Sequence, residues 1–354
     1  MQIIDRYIRR TLLLGTLTAM AVLLPLVGFL LLADELDNVG VGHYALIDAF
    51  TIIALSLPRY AAQIFPIGGL IGSLLGLGGL ASHGELTAMR AAGISVGRIV
   101  WAILKAGLIV ALIAMVLGEV VAPLSEEKAN ALRASLLSER ITLKSRYGFW
   151  ARDGDTFVNI REILPGGRLR DLYIYEFDST RRLKRATYAA SALYTGHAWQ
   201  LEGIRRSALS NAGVQVSEAS QAPWASLLDP GMLSLLVVDP HILPVWGLYR
   251  YIRFMEDNGL STTSYRVIFW GKLATPLVIL AMIFLATPLL FGSLRSVGVG
   301  QRVFVGVLIG IVFYIFDTAS SQLAVVFGID PMLAAFLPGL LCLSGALWAF
   351  RRIR

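Results

Sequence analysis

Six stretches of this sequence run for about the width of a bilayer with almost no charge in them, and they decide what the chain can become. A helix needs about 20 mostly apolar residues to cross the hydrocarbon core. Thr11–Ala33, Ala61–Ala81, Leu273–Leu294 and Pro331–Phe350 contain no Asp, Glu, Lys or Arg. Ile99–Ala122 carries only Lys105 and Glu119, one near each end, and Val303–Phe316 is uncharged up to Asp317. Backbone polar groups in lipid must be satisfied within the segment, so each stretch reads as a spanning helix. The spans fall into two groups of three. Arg6, Arg9 and Arg10 precede the first, as they would a signal peptide. Its apolar core is longer than a signal sequence needs and no small-residue cleavage site follows, which predicts a retained helix.

Composition agrees. Hydrophobic residues make up 56% and charged residues 16%, against about 25% charged in soluble domains. The single cysteine, Cys342, lies within an apolar run, so no intrachain disulfide can form. Basic residues are not interleaved with aromatics on a single stripe, which argues against nucleic acid as a partner.

Lys and Arg in short loops set orientation. Arg6, Arg9 and Arg10 precede span one, Arg90 and Arg98 separate spans two and three, Arg295 and Arg302 separate four and five, and Arg351, Arg352 and Arg354 follow six. The opposite loops lack basic residues; Asp34–Leu57 holds Asp34, Glu35, Asp37 and Asp48. Both termini and the loop Ser82–Gly93, "SHGELTAMRAAG", are therefore predicted to be cytoplasmic. The segment between spans three and four lies on the far side. It starts as a polar helical lead-in, Ser125–Ser138, and turns to strand signals: "FWARDGDTFVNI" with Asp-Gly at a hairpin tip, "DLYIYEF", "ALYTGHAWQLEGI" with a turn at Gly196, and "VQVSEASQAPWASLL". This pattern predicts an antiparallel sandwich or jelly roll. The expected organisation is an α+β membrane protein: residues 1–122 with helices one to three, 123–267 with a β domain and its helical lead-in, and 268–354 with helices four to six.

Catalytic signals are absent from the sequence. There is no P-loop, and His43, His83, His197 and His241 lack metal-ligand spacing. Gly68, Gly72 and Gly76 recur every four residues on span two, a pattern that lets two helices approach closely. Asp317 is an acid at depth, a position that marks either function or a polar packing contact to Ser320, Ser321 or Lys272. In the loop Ser82–Gly93, Leu86 and Met89 give a small apolar face beside Glu85. Such a helix either docks into a partner or lies on the membrane surface.

The chain as a whole resembles the LptF/LptG permeases of lipopolysaccharide export, and more closely the LptG side of that family. The likeness rests on "DRYIRRT", "GELTAMRAAG", "GFWARDGDTFV" and "FGSLRSVGVGQRVFVGVLIGIVFYIFD". It implies an inner-membrane, multi-pass permease subunit that is not itself an enzyme, with its β domain in the periplasm. An LptF-like permease, an LptB-like ATPase dimer and an LptC-like membrane protein would be its partners. It would bind no cofactor; ATP and Mg would be used by the ATPase. Glu85, Leu86, Met89 and Arg90 would face that ATPase. Leu26, Phe29 and Leu30 of span one, with Phe313, Ile315 and Phe316 of span five, would line a lipid cavity. Arg133 matches a basic position of the family at the outer rim. Where some members carry lysines at the outer end of span one, this chain has Leu32, Asp37 and Asn38. An ion-coupled secondary transporter using Asp317 and Glu119 is the competing expectation; a membrane-anchored scaffold for the β domain is a third.

Overall fold

A computed structural model describes residues 2–41, 43–136, 149–153, 155–164, 168–178, 182–195, 198–210, 213–224, 240–257, 261–291 and 297–352. Gly154, Gly196, Arg295 and Arg354, used above for turns and orientation, lie outside the described residues. Helix α1 spans Gln2–Leu36, α2 Leu46–Ser82, α3 Glu85–Ala91 and α4 Val96–Val116. One π turn, Leu117–Val121, carries α4 into α5, Ala122–Leu136. Strands β1 Phe149–Asp153, β2 Thr156–Leu164, β3 Arg168–Phe177, β4 Leu183–Tyr194, β5 Trp199–Ser210 and β6 Gly213–Trp224 follow; then come α6 Val245–Asp257, α7 Thr263–Phe291, α8 Val299–Phe327 and α9 Pro331–Arg351. Among the described residues, six helical stretches are long and apolar enough to cross a membrane: α1, α2, α4 with its continuation, α7, α8 and α9. Six crossings put both ends of the chain on the face that carries α3, and the sheet on the other.

The helices outrun the apolar runs that reveal them. Helix α2 starts at Leu46 instead of Ala61, inside what reads as an acidic loop. There Asp48 accepts the Ala45 N–H at 2.9 Å, and Ala49 and Ile52 are buried against Ala129 of α5. At 37 residues, α2 is about 55 Å long. Asp317 does not end span five, since α8 runs on to Phe327. Helix α6 has no counterpart in the sequence reading and falls within the part assigned to the β domain. It buries Leu248, Tyr251 and Ile252 on one side, the three- and four-residue spacing of an amphipathic helix.

Helix α2 is the spine. Leu70, Leu74 and Leu77 are fully buried, packed among Ile8 and Leu12 of α1, Ile99 and Ile103 of α4, and Ile279, Met282 and Ile283 of α7. The glycine repeat shows which helix it serves. A Cβ on Gly76 would stand 2.5 Å from the Thr11 carbonyl oxygen, one on Gly68 would stand 2.6 Å from Met20 Sδ, and one on Gly72 would run into the backbone of Gly15 and Thr16. Gly15 answers from α1, where a Cβ would strike the Gly72 carbonyl. The same device seats α8, whose Gly306 and Gly310 lie against Leu74, Ile71 and Ile67 of α2.

The six strands form one antiparallel sheet in the order β1-β2-β3-β4-β5-β6. Every neighbour is consecutive, so the described strands are an up-and-down meander; the crossover of a complete jelly roll is not among the described residues. One face buries Val158, Ile160, Leu172, Ile174, Ala189, Trp199 and Ile204. Alternation breaks along one line across the sheet. Leu169 and Leu172 are both buried, as are Ala189 and Ala192, and Leu201 and Ile204. Between these pairs lie Asp171 with φ 53° and Gly203 with φ 61°. Each irregular residue returns the strand to the same face, so the sheet bends there. The Tyr188 hydroxyl donates to the Asp171 carboxylate at 2.8 Å and steadies the bend. That hydrogen bond, with burial and the acid's charge, raises the Tyr188 pKa above the usual phenol value.

Gly72→Ala and Gly76→Ala are expected to wedge α1 off α2 and to cost about 1–3 kcal/mol, the usual range for overpacking. Thermal melting in detergent reads the loss. Gly79→Ala, where a Cβ would meet nothing within 4 Å, should melt at the wild-type temperature or above.

Candidate functional site

At the face that carries the chain ends, α3 is held between two glycines in the left-handed region, Gly84 at φ 77° and Gly93 at φ 85°. A side chain is strained at either, so the turns that set the angle of α3 are written into the sequence as glycine. Leu86 is buried at 4% exposure in the chain's own core, and Met89 packs beside it. These two residues therefore anchor the helix from below. The surface left open carries Thr87, Ala88, Arg90 and Ala91, with Arg90 at the edge of a small cleft shared with Leu290 and Phe291 of α7. Glu85 is half-buried, and its Oε2 accepts the Tyr7 hydroxyl at 2.7 Å. Nearby, Asp5 of α1 receives both carboxylate hydrogen bonds from Arg98 at 3.1 Å and lies 3.5 Å from Lys105. Helix α1 is thus tied to both flanks of α3.

A second tie was hidden in the sequence by its use as an orientation marker. Arg302, near the start of α8, is 1% exposed, and its guanidinium donates to the Gly78 carbonyl of α2. A Cβ on Gly78 would stand 2.8 Å from Nη1. The signal was the four-residue row Arg302, Gly306, Gly310, which puts one cation and two glycines on the face that meets α2.

At the opposite rim, Arg133 of α5 forms an ion pair with Glu35 of α1 and donates to Asn130 Oδ1 at 2.9 Å. Glu35 also accepts the Tyr44 hydroxyl at 2.7 Å and Asn38 Nδ2 at 3.2 Å. Burial, with the Glu35 carboxylate beside it, pushes the Tyr44 phenol well above its ordinary pKa, so it stays a neutral donor. The acids at the end of span one, a departure from the basic pattern, are thereby accounted for in part: Glu35 is the hub that joins α1, α5 and the α1–α2 turn.

The apolar candidates divide. Leu26, Phe29 and Leu30 are exposed on α1, at 59%, 69% and 62%, and Ile315 and Phe316 are exposed on α8. Phe313 is buried and points inward, so it does not share a surface with Ile315 and Phe316. Helices α1 and α8 are the least covered of the six: 17% and 22% of their apolar stretches are buried, against 72% for α2.

Between α2, the α4–α5 junction, α7 and α8 lies a cavity of about 570 Å³ that reaches from Ala62 and Ile67 to Phe313, Asp317 and Ser321. Glu119 of the π turn stands on its wall. It accepts Lys272 Nζ at 3.0 Å and the Val245 N–H at 2.6 Å, joining α4, α7 and the start of α6. Asp317 is not packed against the partners expected for it. Lys272 serves Glu119, and Ser320 donates to the Ala334 carbonyl at 2.8 Å.

Comparison with known proteins fits this arrangement. Residues 6–352 match the family described as lipopolysaccharide export system permease LptF/LptG. The chain is 33% identical to the lipopolysaccharide export system permease protein LptG of Escherichia coli strain K12, over 99% of this chain and 98% of that one. It is 32% identical to the protein of the same name from Haemophilus influenzae strain KW20, over 99% of both. Similarity of this extent favours an export permease over an ion-coupled transporter built on Asp317 and Glu119. Six apolar helices in two groups of three, a short interhelical α3 and a sheet inserted between the third and fourth spans complete the agreement: the chain belongs to the LptF/LptG family of lipopolysaccharide export system permeases.

Proposed function

We propose that this chain is one transmembrane half of an ATP-driven extractor that lifts lipopolysaccharide out of the bacterial inner membrane and passes it to a periplasmic bridge. A second permease of the same family supplies the other half. A separate ATPase dimer binds ATP and Mg and docks on α3; a further membrane protein inserts a helix beside α1. Both termini then lie in the cytoplasm and the sheet in the periplasm. The observation that carries this reading is mechanical. Helix α3 is bolted through Leu86, Met89 and the Tyr7–Glu85 bond to the end of the bundle, where Arg302 fastens α8 to α2. Force applied to α3 therefore has direct side-chain contacts through which to reach α1 and the buried core around α2.

Extraction needs such a device, because moving an acyl chain into water costs about 0.8 kcal/mol per CH₂. The exposed faces of α1 and α8 supply apolar surface for the chains, with Leu26, Phe29, Leu30, Ile315 and Phe316 in contact; Phe313 acts from behind. Arg133 supplies the charge for a lipid phosphate at the rim, in competition with Glu35. Glu85 offers its second oxygen to a basic groove on the ATPase, with Arg90 and the small residues Ala88 and Ala91 as the docking surface.

Purification of the tagged chain from its native membrane in mild detergent should bring down a second six-span chain in equal amount and an ATPase at two copies per tagged chain. Their absence would overturn the assembly. Glu85→Ala should weaken ATPase retention about 30-fold, the effect of about 2 kcal/mol. Tyr7→Phe, which removes only the internal hold on Glu85, should weaken it much less; equal effects would reduce Glu85 to an internal strut. At the rim, Arg133→Gln should lower photocrosslinking to lipopolysaccharide about tenfold, as loss of ~1.4 kcal/mol requires. Glu35→Gln should raise it by freeing the guanidinium. A purely structural Glu35–Arg133 bridge would instead lower the melting temperature in both variants and leave crosslinking per folded molecule unchanged.

A further inference from the structure

The cavity between α2, α4–α5, α7 and α8 has a use that the export route along the outer faces of α1 and α8 does not supply. Its volume, about 570 Å³, falls within the ~300–1,000 Å³ of small-molecule sites. Most of its wall is carbon, from residues such as Pro66, Ile67, Met115, Val278 and Phe313. Its neutral polar side chains, among them Gln63, Ser264, Thr318, Ser321 and Gln322, can donate or accept, so the charged groups decide what it favours. Two basic groups on the wall are answered by acids: Arg59 lies 3.5 Å from Glu126, and Lys272 lies 3.0 Å from Glu119. Asp317 is left over. Among the described residues it has no hydrogen bond or ion pair, and a carboxylate held within a spanning helix is costly without a partner.

Two prolines add acceptors. Pro66 of α2 and Pro276 of α7 both line the cavity, and so do the residues one turn before them, Ala62 and Lys272. Proline has no N–H, so the carbonyls of Ala62 and Lys272 lose the donor that a regular helix would give them. The site thus presents the Asp317 carboxyl and two carbonyls without their regular helical donor, set in largely apolar walls. An ammonium group matches this: it carries one positive charge and three N–H donors and accepts nothing.

We propose that this cavity binds a phospholipid whose headgroup ends in a primary ammonium, with Asp317 and the carbonyls of Ala62 and Lys272 as its receptors and the apolar wall as the seat of an acyl chain. The site lies within one subunit, so the proposal stands apart from the assembly with an ATPase.

The test uses the full-length chain in detergent doped with equal amounts of phosphatidylethanolamine, phosphatidylglycerol and phosphatidylcholine of the same acyl chains. Retained lipid is extracted and measured by mass spectrometry. Wild-type protein should enrich phosphatidylethanolamine about fivefold over both others, a preference of about 1 kcal/mol. Asp317→Asn, which breaks no bond within the protein, should return the ratio to that of the detergent pool. Ser321→Phe, which fills the cavity, should cut retention of all three. Excess free ethanolamine should not displace the lipid, because it lacks the chain. Wild-type retention in proportion to the pool overturns the proposal. So does unchanged enrichment in Asp317→Asn, displacement by free ethanolamine, or retention of phosphatidylcholine equal to that of phosphatidylethanolamine, since choline has the charge without the donors.

Discussion

The close approach of α1 to α2 is the contact on which the rest of the bundle depends. In lipid, apolar surface gains little by leaving its surroundings, so helices are held by fit rather than by the exclusion of water. Gly15, Gly72 and Gly76 remove the side chains that would hold the two backbones apart, and Thr11 and Thr16 meet α2 through main-chain atoms. Because that seam is so narrow, α1 needs no second neighbour along most of its length, and its other side stays bare. The same economy operates on α8, which meets α2 through Gly306 and Gly310 and exposes Phe304, Leu308 and Ile315. Two helices are thus held firmly by one edge, with a broad apolar face left over on each, as a lipid-handling wall requires.

Apart from Asp317, the charged side chains of the helical bundle described above mostly join separate helices. Asp5 with Arg98 and Tyr7 with Glu85 tie α1 to the flanks of α3; Glu35 with Arg133 and Arg59 with Glu126 bind α5 to α1 and α2; Glu119 gathers α4, α7 and α6. All but the exposed Tyr7–Glu85 pair are part-buried, and removing one partner of these would strand the other. Their value lies less in net stability than in fixing which helix ends meet.

Much of this plan was legible in the sequence. The six apolar runs gave the spans because lipid leaves few ways to satisfy a backbone, and the spacing of Gly68, Gly72 and Gly76 announced a tight seam. Their partner, Gly15, belongs to no four-residue repeat in α1 and so had no pattern to betray it. The start of α2 at Leu46 was hidden because Asp48 and its neighbours look like loop, whereas Ala49 and Ile52 find cover on α5, which no local pattern reveals. Leu86 and Met89 were legible as a face of α3, but not which way that face turns; the packing beneath decides that. Arg133 was visible as a basic residue at the rim, yet its hold on Glu35 joins positions 98 residues apart. The bend line through Asp171 and Gly203 hid within strands that otherwise alternate regularly. The cavity was least legible of all, since it is made of what five elements fail to fill.

Helix α8 is fastened unevenly. Next to α3 it is sealed against α2 by Arg302 and two glycines; farther along, beyond Phe313, the cavity separates the two helices. A membrane that stores energy as an ion gradient tolerates no leak, even through a protein that rearranges lipids. Here, water or ions entering at the open end would meet a close-packed floor with the buried Arg302 guanidinium in it. The chain can therefore loosen on one side of the bilayer while its other side remains an electrical insulator.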